Sequence, residues 1–284
     1  MKQHRAQLKI ARLCRLAKVS RSGYYDWMAR AESCRAHANR VLLVSIRTVF
    51  RQSRKTYGAL RIHREFQEQG LACGKHRIAR LMRLEGLRSV HRRKYRPQTT
   101  NSKHDHAISP NLLEQDFQAS AVNQKWGCDI SYVPTAEGWL YLAIVMDLYS
   151  RKIVGHVTGK SLHAELCSRA LKQACLRRRP PKELIHHSDR GVQYASLEYR
   201  KLLQQQNFVQ SMSRKGNCYD NAMVESFFHT LKVELTHRQK YATRTEAEED
   251  INQYIAGFYN SKRKHSSLDY RSPNQYENLI SLAA

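Results

Sequence analysis

Two short stretches, each carrying an acidic residue, constrain the fold of this chain more than any other feature. The first is an apolar run that ends in Asp189 and is followed by a turn sequence at Arg190-Gly191. It predicts a buried strand with a carboxylate at its exit. The second, residues 220–228, has apolar side chains at helical spacing and predicts an amphipathic helix carrying Glu225. The 35 residues between the two acids leave room for a helix, a strand and a loop, so the two carboxylates can converge.

A third acidic residue would complete a site for divalent cations, and the sequence offers two candidates. Asp129 lies in the middle of a predicted strand, 125–133, where an unpaired carboxylate is costly. Asp147 lies near the end of the predicted strand 139–148, where Arg151 or the following turn would satisfy it. Carboxylate oxygens are the ligands that Mg²⁺ and other hard cations prefer. On the residues alone, both acids remain candidates.

Apolar runs in the central part of the chain predict an α/β fold. Three strand-like runs, 125–133, 139–148 and 152–158, have short connections and predict an antiparallel meander. They are followed by a helix at 163–177, a strand at 184–188, a helix at 197–206, a strand at 209–213 and a long helix from about 221 to 235. This order predicts a mixed five-stranded sheet flanked by helices.

The amino-terminal part differs in charge and in pattern. Residues 1–104 hold 26 Lys and Arg against 5 Asp and Glu, whereas the rest of the chain holds 23 against 19. Such a density of cations suits the neutralisation of DNA phosphates, and a solvated basic surface is the alternative. Two helical pairs of the helix-turn-helix type are predicted, one within 7–30 with Ser20 as an N-cap and one formed by helices 59–68 and 75–85. For the first pair, plain helix packing is the alternative to DNA contact.

Basic side chains of the second helical pair and of the segment after it are candidate DNA contacts. Helix 75–85 is expected to bury Ile78, Leu81, Met82 and Leu84 and to expose a basic stripe, Lys75, Arg77, Arg80 and Arg83. The stripe suits a DNA groove, with a solvated charged face as the alternative. The next segment lacks periodicity and predicts a linker, in which Arg92, Arg93 and Lys94 are expected to contact backbone phosphates.

Other features of the sequence exclude several classes of protein. The seven cysteines are scattered without a C-x-x-C pair, which argues against a zinc site and a disulfide framework. The longest apolar run, 139–146, is too short to cross a bilayer, and residues 1–18 lack the apolar region of a signal peptide. We therefore expect no membrane partner and a cytoplasmic, nucleoid-associated location.

Motifs along nearly the whole chain resemble those of the DDE recombinases of the retroviral-integrase-like superfamily. Within it, the chain is similar to the second-reading-frame (OrfB) product of bacterial insertion-sequence transposases. The motifs are Trp126-x-x-Asp129-Ile130-Ser131-Tyr132, Gly138-Trp139-Leu140-Tyr141-Leu142, the run from Asp147 to Gly155, His187-Ser188-Asp189-Arg190-Gly191, the run from Ser211 to Phe228, and residues between Tyr259 and Pro273. Cys218 departs from the pattern, because proline is expected there in many relatives.

The resemblance implies an RNase H-like catalytic core of the integrase type. In it Asp129, Asp189 and Glu225 would be the catalytic residues and would hold two Mg²⁺ ions, with Mn²⁺ as a substitute. Two such cations activate the attacking oxygen and stabilise the leaving one in phosphodiester chemistry. The implied function is a DNA transposase that cleaves double-stranded DNA at terminal inverted repeats and joins it to target DNA. The preference for Asp129 over Asp147 depends mainly on this match.

Three residues near the acids have open roles. Lys232 lies two helical turns after Glu225 on the same face and is expected to hold a DNA phosphate, with an ordinary surface lysine as the alternative. Asn221 is expected either to orient DNA or to cap the helix. His187, at the end of a predicted buried strand, is expected to be a structural histidine rather than a proton-transfer group.

We predict four segments: a helical DNA-binding domain (1–90), a basic linker (91–118), an RNase H-like core (119–240) and a C-terminal helix with a basic tail (241–284). Residues 263–265 of the tail are expected to contact DNA or a partner subunit. The resemblance also implies a homo-oligomer on DNA and a fusion or partnership with the product of an upstream reading frame (OrfA). The alternative functions are a non-catalytic DNA-binding regulator, which has no need of three acids, and an RNase H-like nuclease that cuts without joining.

Overall fold

A five-stranded sheet forms the centre of the molecule. The computed structural model describes residues 9–90, 107–215 and 217–281. Its strands are β1 (Lys125–Thr135), β2 (Gly138–Asp147), β3 (Ile153–Gly159), β4 (Ile185–Ser188) and β5 (Val209–Met212), in the spatial order β3-β2-β1-β4-β5. β1, β2 and β3 pair antiparallel, whereas β4 runs parallel to both β1 and β5. The predicted meander and the mixed sheet are confirmed.

Helices cover both faces of the sheet. Helices α6 (Ala164–Arg178), α7 (Val192–Ala195) and α8 (Leu197–Gln205) pack on one face, and α9 (Ala222–Glu234) and α10 (Arg244–Tyr254) pack on the other. β2 shows why two layers are needed. Ala143 and Val145 belong to the apolar cluster that contains the buried residues of α6–α8, whereas Leu142 and Ile144 belong to the cluster that contains those of α9 and α10. A strand that is apolar on both faces must be covered on both. The predicted α/β class is confirmed.

In the described residues before the sheet, the chain forms five helices: α1 (Ile10–Leu16), α2 (Arg21–Ala29), α3 (Cys34–Gln52), α4 (Ala59–Glu68) and α5 (Lys75–Leu84). The Ser20 hydroxyl accepts a hydrogen bond from the backbone N–H of Gly23 at 3.0 Å, which confirms it as the N-cap of α2. The predicted bounds of α4 and α5 agree with the structure within one residue. α3 was not predicted, because its first two turns carry no buried side chain. Leu84 was expected inside but is 71% exposed, at the last turn of α5.

Helices α3–α5 are packed on the carboxyl-terminal part of the chain. Ile46, Ile62 and Ile78 belong to the same apolar cluster as the buried residues of α9 and α10. The hydroxyl of Tyr57 donates a hydrogen bond to the Lys262 carbonyl at 3.1 Å and accepts one from the backbone N–H of Lys264 at 2.9 Å. The helical unit is therefore held against the residues that follow α10.

The tail cations lie inside the molecule, so the expectation that residues 263–265 contact DNA or a partner subunit is wrong. The guanidinium of Arg263 donates to both carboxylate oxygens of Glu234 on α9, with a shortest distance of 2.7 Å. The ammonium of Lys264, only 2% exposed, lies 2.6 Å from Glu68 on α4. A cation removed from water needs such a partner, and these carboxylates supply it. Among the described helices, none is both long and apolar enough to cross a membrane.

Candidate active site

The fold brings the three predicted ligands to one end of the sheet. Asp129 lies mid-strand on β1, opposite Ile144 of β2. β4 pairs with β1 only as far as Gly127, so Asp189, the residue after β4, leaves the sheet beside this part of β1. Glu225 lies in the first turn of α9, which packs on β1. A strand, a strand exit and a helix start therefore each contribute one carboxylate.

Gly127 sets how closely α9 approaches β1. A Cβ at this position would lie 2.7 Å from Val224 Cγ2 and 2.9 Å from Leu148 Cδ2, closer than carbon atoms pack. The missing side chain lets Val224 rest on the strand, and Glu225 follows it directly. The sequence analysis did not single out Gly127. The available signal was a glycine inside an otherwise apolar strand, which often marks a close approach of another element.

Asn221 forms a second link between α9 and β1. It occupies the N-cap position of α9, but its side chain makes no capping hydrogen bond, so the capping interpretation is wrong. Instead its Nδ2 donates to the carbonyl of Cys128 at 3.1 Å, in a buried environment. The bonded carbonyl belongs to the residue that precedes Asp129. Asn221 therefore ties the start of the helix to the strand at the candidate ligand, and a role in orienting DNA stays a prediction.

The three carboxylates influence one another electrostatically. Burial raises the pKa of Asp129 well above its usual value, and the neighbouring charges of Asp189 and Glu225 raise it further, against a 2.7 Å hydrogen bond from the Ile130 N–H. Partial burial and the charge of Asp189 also raise the pKa of Glu225, whose side chain still reaches water. Lys232 is the cation that opposes the shift at Asp129. Mutual repulsion of this kind favours a bound cation between the acids.

The three acids have the right chemistry for a hard divalent cation, but their side chains are not yet arranged around one. Within residues 9–90, 107–215 and 217–281, no three His, Cys, Asp or Glu side chains are already drawn together as metal ligands. The pKa shifts agree with this, because charges repel over several ångströms whereas Mg²⁺ and Ca²⁺ bind oxygen at about 2.0–2.6 Å. Asp129, Asp189 and Glu225 are all carboxylates, which suits such an ion. To coordinate it, their side chains would have to move closer together.

The carboxylate of Asp147, the rival third ligand, already has hydrogen-bond partners within the protein. It is fully buried and accepts hydrogen bonds from two backbone N–H groups of the following turn and, at 2.6 Å, from the N–H of Asn123. Its cationic neighbour is Arg178 on α6, at 3.8 Å, and not the expected Arg151. These partners account for its carboxylate, so the geometry favours Asp129 as the ligand.

His187 is a satisfied structural residue, as the sequence analysis favoured. Its Nδ1 lies 2.8 Å from the Ser211 hydroxyl and its Nε2 lies 3.1 Å from the Ser213 hydroxyl, so both ring nitrogens have partners on β5 or directly after it. Burial lowers the pKa of the imidazole to about 4, which keeps the ring neutral at pH 7. The histidine thus links β4 to the chain that leads towards α9.

Lys232 extends the site along α9. Its ammonium lies 5.2 Å from the ring centroid of Tyr132 on β1, and its side chain is partly buried. Burial lowers the pKa of this lysine, and the charge of Asp129 opposes that shift. Lys232 is therefore a cation beside the candidate ligands, and its contact with a DNA phosphate stays a prediction.

The other DNA-binding candidates divide into three groups. Lys75, Arg80 and Arg83 are exposed on α5, as expected. Arg77 is not free on this face, because its Nε donates to the side-chain oxygen of Asn39 on α3 at 2.8 Å. The linker candidates, Arg92, Arg93 and Lys94, lie outside the described residues.

Family models match three parts of the chain. Models described as an integrase core domain match residues 119–218 and 225–280, and a model described as an HTH-like domain matches residues 36–95. The first two ranges contain Asp129, Asp189 and Glu225, and the third covers α3–α5 but not α1 and α2. The second predicted helical pair thus lies in the HTH-like region, and the first lies before it.

Similar proteins extend over nearly the whole chain. Transposase InsF for insertion sequence IS3A of Escherichia coli (strain K12) is 42% identical over 284 residues, covering 98% of this chain and 97% of that protein. The uncharacterized 31 kDa protein of insertion element IS600 from Shigella sonnei is 45% identical over 261 residues, covering 92% of this chain and 96% of that protein.

Solved structures are more distant. A chain from the simian T-cell lymphotropic virus intasome, in complex with PP2A regulatory subunit B56 gamma, has a TM-score of 0.47 at 14% identity, over 72% of this chain and 67% of that chain. The HTLV-2 integrase catalytic core domain in complex with magnesium has a TM-score of 0.42 at 14% identity, over 56% of this chain and 99% of that chain.

Proposed function

Because this chain belongs to the family of insertion-sequence transposases that carry an integrase core domain, we propose that it cleaves and joins insertion-sequence ends by metal-dependent phosphodiester strand transfer. The family makes the protein a DNA transposase and an enzyme of the polynucleotidyl transferase type. The proposal adds the chemistry and the residues. The carboxylates of this chain are of the type that metal-dependent strand transfer requires.

One observation carries the proposal: besides burial, the charges of Asp189 and Glu225 raise the pKa of Asp129, and the charge of Asp189 raises the pKa of Glu225, although the three acids lie on three different parts of the chain. A structural role would be satisfied by hydrogen bonds, as it is at Asp147. At Asp129 the charged neighbours are instead two acids and one lysine. Such a concentration of negative charge is stable when it holds cations.

Each residue has a proposed role. Asp129, Asp189 and Glu225 would hold two Mg²⁺ ions, or Mn²⁺ as a substitute, which when bound supply charge neutralisation and an activated attacking oxygen. The backbone N–H of Gly191 donates to Asp189 at 2.9 Å and orients that carboxylate. Lys232 would hold a DNA phosphate beside the acids. Asn221, close to the same site, would contact DNA only if its bond to β1 were exchanged.

DNA binding is proposed to begin in the helical unit. Lys75, Arg80 and Arg83 on α5 would contact the groove or the backbone of the element's terminal inverted repeats, Arg77 would steady α5 from the side of α3, and Arg92, Arg93 and Lys94 would neutralise phosphates. Two DNA ends must meet target DNA in the reaction, so we propose a homo-oligomer on DNA, with the OrfA product as a possible fusion or partner.

The test is joining of a labelled duplex with the element's own end sequence to target DNA in Mg²⁺ or Mn²⁺. Glu225→Gln should abolish joining while DNA binding persists. Glu198→Gln is the matched control, because Glu198 is an exposed acid in the first turn of α8, as Glu225 is in α9. Joining by wild type without divalent cation, or by Glu225→Gln at the wild-type rate, contradicts the proposal.

Product analysis separates the alternative functions. Joined strands or circles indicate a transposase, cut ends alone indicate a nuclease, and binding without either product indicates a regulator. Asp129→Asn should remove joining, whereas Asp147→Asn should lower the free energy of unfolding and retain joining by the fraction that folds. The reverse pattern would assign the third ligand to Asp147.

A further inference from the structure

An aromatic pair stands at the surface next to the candidate active site. Trp139, at the start of β2, is 48% exposed although it is among the largest apolar side chains of the protein. Its ring centroid lies 4.7 Å from that of Tyr132 on β1, with an interplanar angle of 79°. In an edge-to-face pair, each ring covers at most one face of the other. One face of the indole is therefore left without a cover from its partner.

The hairpin that carries Trp139 is held in place. Arg244, at the start of α10, donates from its Nε to the Trp139 carbonyl at 3.0 Å and from its backbone N–H to the Glu137 carboxylate at 2.9 Å. The Thr135 hydroxyl donates to the Gly138 carbonyl at 2.6 Å and closes the turn. Such a frame keeps an exposed aromatic ring in one position, which lowers the entropy cost of binding a ligand. It also holds the Arg244 guanidinium against the backbone of Trp139.

The pair is continuous with the catalytic acids. The Lys232 ammonium lies 5.2 Å from the Tyr132 ring centroid, and the same lysine is the cation whose charge opposes the pKa shift of Asp129. The pairing of β1 with β4 ends at Gly127, and the next bridge of β1 to a part of the chain outside the sheet is that of Thr135 with Tyr241, so Tyr132 lies on a stretch of β1 that β4 does not cover. Lys232 is therefore a neighbour both of the Tyr132 ring and of the Asp129 carboxylate, and it connects the aromatic pair to the candidate site.

We propose that Trp139, Tyr132 and Lys232 form a platform that binds an unpaired base and its phosphate at the end of a DNA strand in the active site. Aromatic side chains stack on bases, and cations hold the adjoining phosphates. Base pairs within a duplex already have both faces covered, so the platform selects a base that is unstacked, as at a cut or frayed end. The inference rests on the proposed function, because it assigns a substrate feature to the same site.

The test compares two DNA probes with the full chain in the absence of divalent cations. One is a flush duplex, and the other is the same duplex with a single-stranded overhang that contains 2-aminopurine. Wild type should bind the overhang more tightly and quench the 2-aminopurine fluorescence. Trp139→Ala should weaken binding to the overhang by about 5- to 150-fold, with little effect on the flush duplex, and should lose the quenching. Trp139→Phe should retain most of both signals.

Trp27→Ala is the matched control. Trp27 is a 53% exposed tryptophan that lies beside a tyrosine on α2, and its loss should leave the ratio between the two probes unchanged. No preference for the overhang in wild type, or an unchanged preference in Trp139→Ala, overturns the platform. A lower mass of Trp139→Ala in sedimentation without DNA, with an unchanged preference, assigns the ring to contact with a second copy and also overturns it.

A joining assay on the same preparations separates the two claims. Mg²⁺-dependent joining by wild type together with an unchanged overhang preference in Trp139→Ala overturns the platform alone. Absence of joining by wild type overturns the proposed function, and the binding ratios then decide whether the platform exists.

Discussion

Replacing Gly127 by alanine is the smallest change that should separate α9 from β1. The added Cβ would lie 2.7 Å from Val224 Cγ2 and 2.9 Å from Leu148 Cδ2. Carbon atoms in contact are normally about 3.5–4.0 Å apart, so relief requires a displacement of roughly 1 Å. Both neighbours are buried and cannot turn into solvent. The helix that carries Glu225 must therefore move.

The expected magnitudes follow from that displacement. Overpacking of this kind costs about 1–3 kcal/mol of the free energy of unfolding, and the loss of glycine's freedom in the unfolded chain returns about 0.4–1 kcal/mol. We expect a net loss of roughly 1–2 kcal/mol. A shift of about 1 Å in one of three ligands is expected to slow joining by about 100-fold. The catalytic effect should thus exceed what the change in stability explains.

The assay pairs joining rates with urea unfolding. Gly257→Ala is the control, because its Cβ would meet Gln253 Cγ at 3.8 Å, an ordinary contact distance; it should keep or slightly raise the free energy of unfolding and retain wild-type joining. Combining Gly127→Ala with Val224→Ala removes the nearest clashing atom and should recover part of the joining rate. If Gly127→Ala alone joins DNA at the wild-type rate with unchanged unfolding, the close approach of α9 does not position Glu225.

Two further predictions concern buried charged and titratable groups. Burial lowers the pKa of His186 to about 3, so below about pH 6.5 the unfolded chain takes up a proton that the folded protein does not. The free energy of unfolding therefore falls as the pH drops from about 6.5 towards 3, by about 2 kcal/mol at about pH 5. His186→Phe should remove this part of the pH dependence of urea unfolding. Lys264→Met should lower the free energy of unfolding by about 1–3 kcal/mol, because Glu68 loses its partner but keeps access to water. Lys262→Met is the control: Lys262 is exposed, and its replacement should leave the midpoint of urea unfolding unchanged.

The sequence predicted those helices and strands whose bounds depend on residues close together along the chain. α4 and α5 bury apolar residues at helical spacing, and glycines stand at their ends, so their bounds were predicted within one residue. The meander could be predicted because its connections are short. Asp129 and Glu225 were placed correctly on a strand and on a helix for the same reason. In each case the deciding interactions lie within a few residues along the chain.

Long-range pairing could not be predicted in this way. Lys264 was expected to contact DNA or a partner subunit because it stands in a basic stretch, but its partner, Glu68, is 196 residues away on α4. For Asp147 two partners were considered: the turn that follows it, which the structure confirms, and its neighbour Arg151, in place of which the structure supplies Arg178 from α6. Composition identifies a cation and not its partner, so whether a basic side chain faces DNA or the interior depends on tertiary packing.

Asn221 can be tested with one substitution, because a side chain that caps α9 and a side chain that ties α9 to β1 respond oppositely to it. A capping side chain accepts a hydrogen bond, so aspartate would serve as well as asparagine. The structure instead has Nδ2 donating to the Cys128 carbonyl at 3.1 Å, and a carboxylate cannot donate there. Asn221→Asp should therefore cost about 1–3 kcal/mol in urea unfolding and slow joining, since α9 loses its link to the strand beside Asp129.

Asn217 supplies the matched control four residues earlier. Its side-chain oxygen accepts a hydrogen bond from the backbone N–H of Tyr219 at 3.0 Å, so Asn217→Asp keeps the interaction and should leave stability and joining unchanged. Equal behaviour of the two variants would mean that Asn221 caps α9 after all. A loss at Asn221 alone would show that a donor is needed, and that the helix bearing Glu225 is positioned by a hydrogen bond to the strand bearing Asp129.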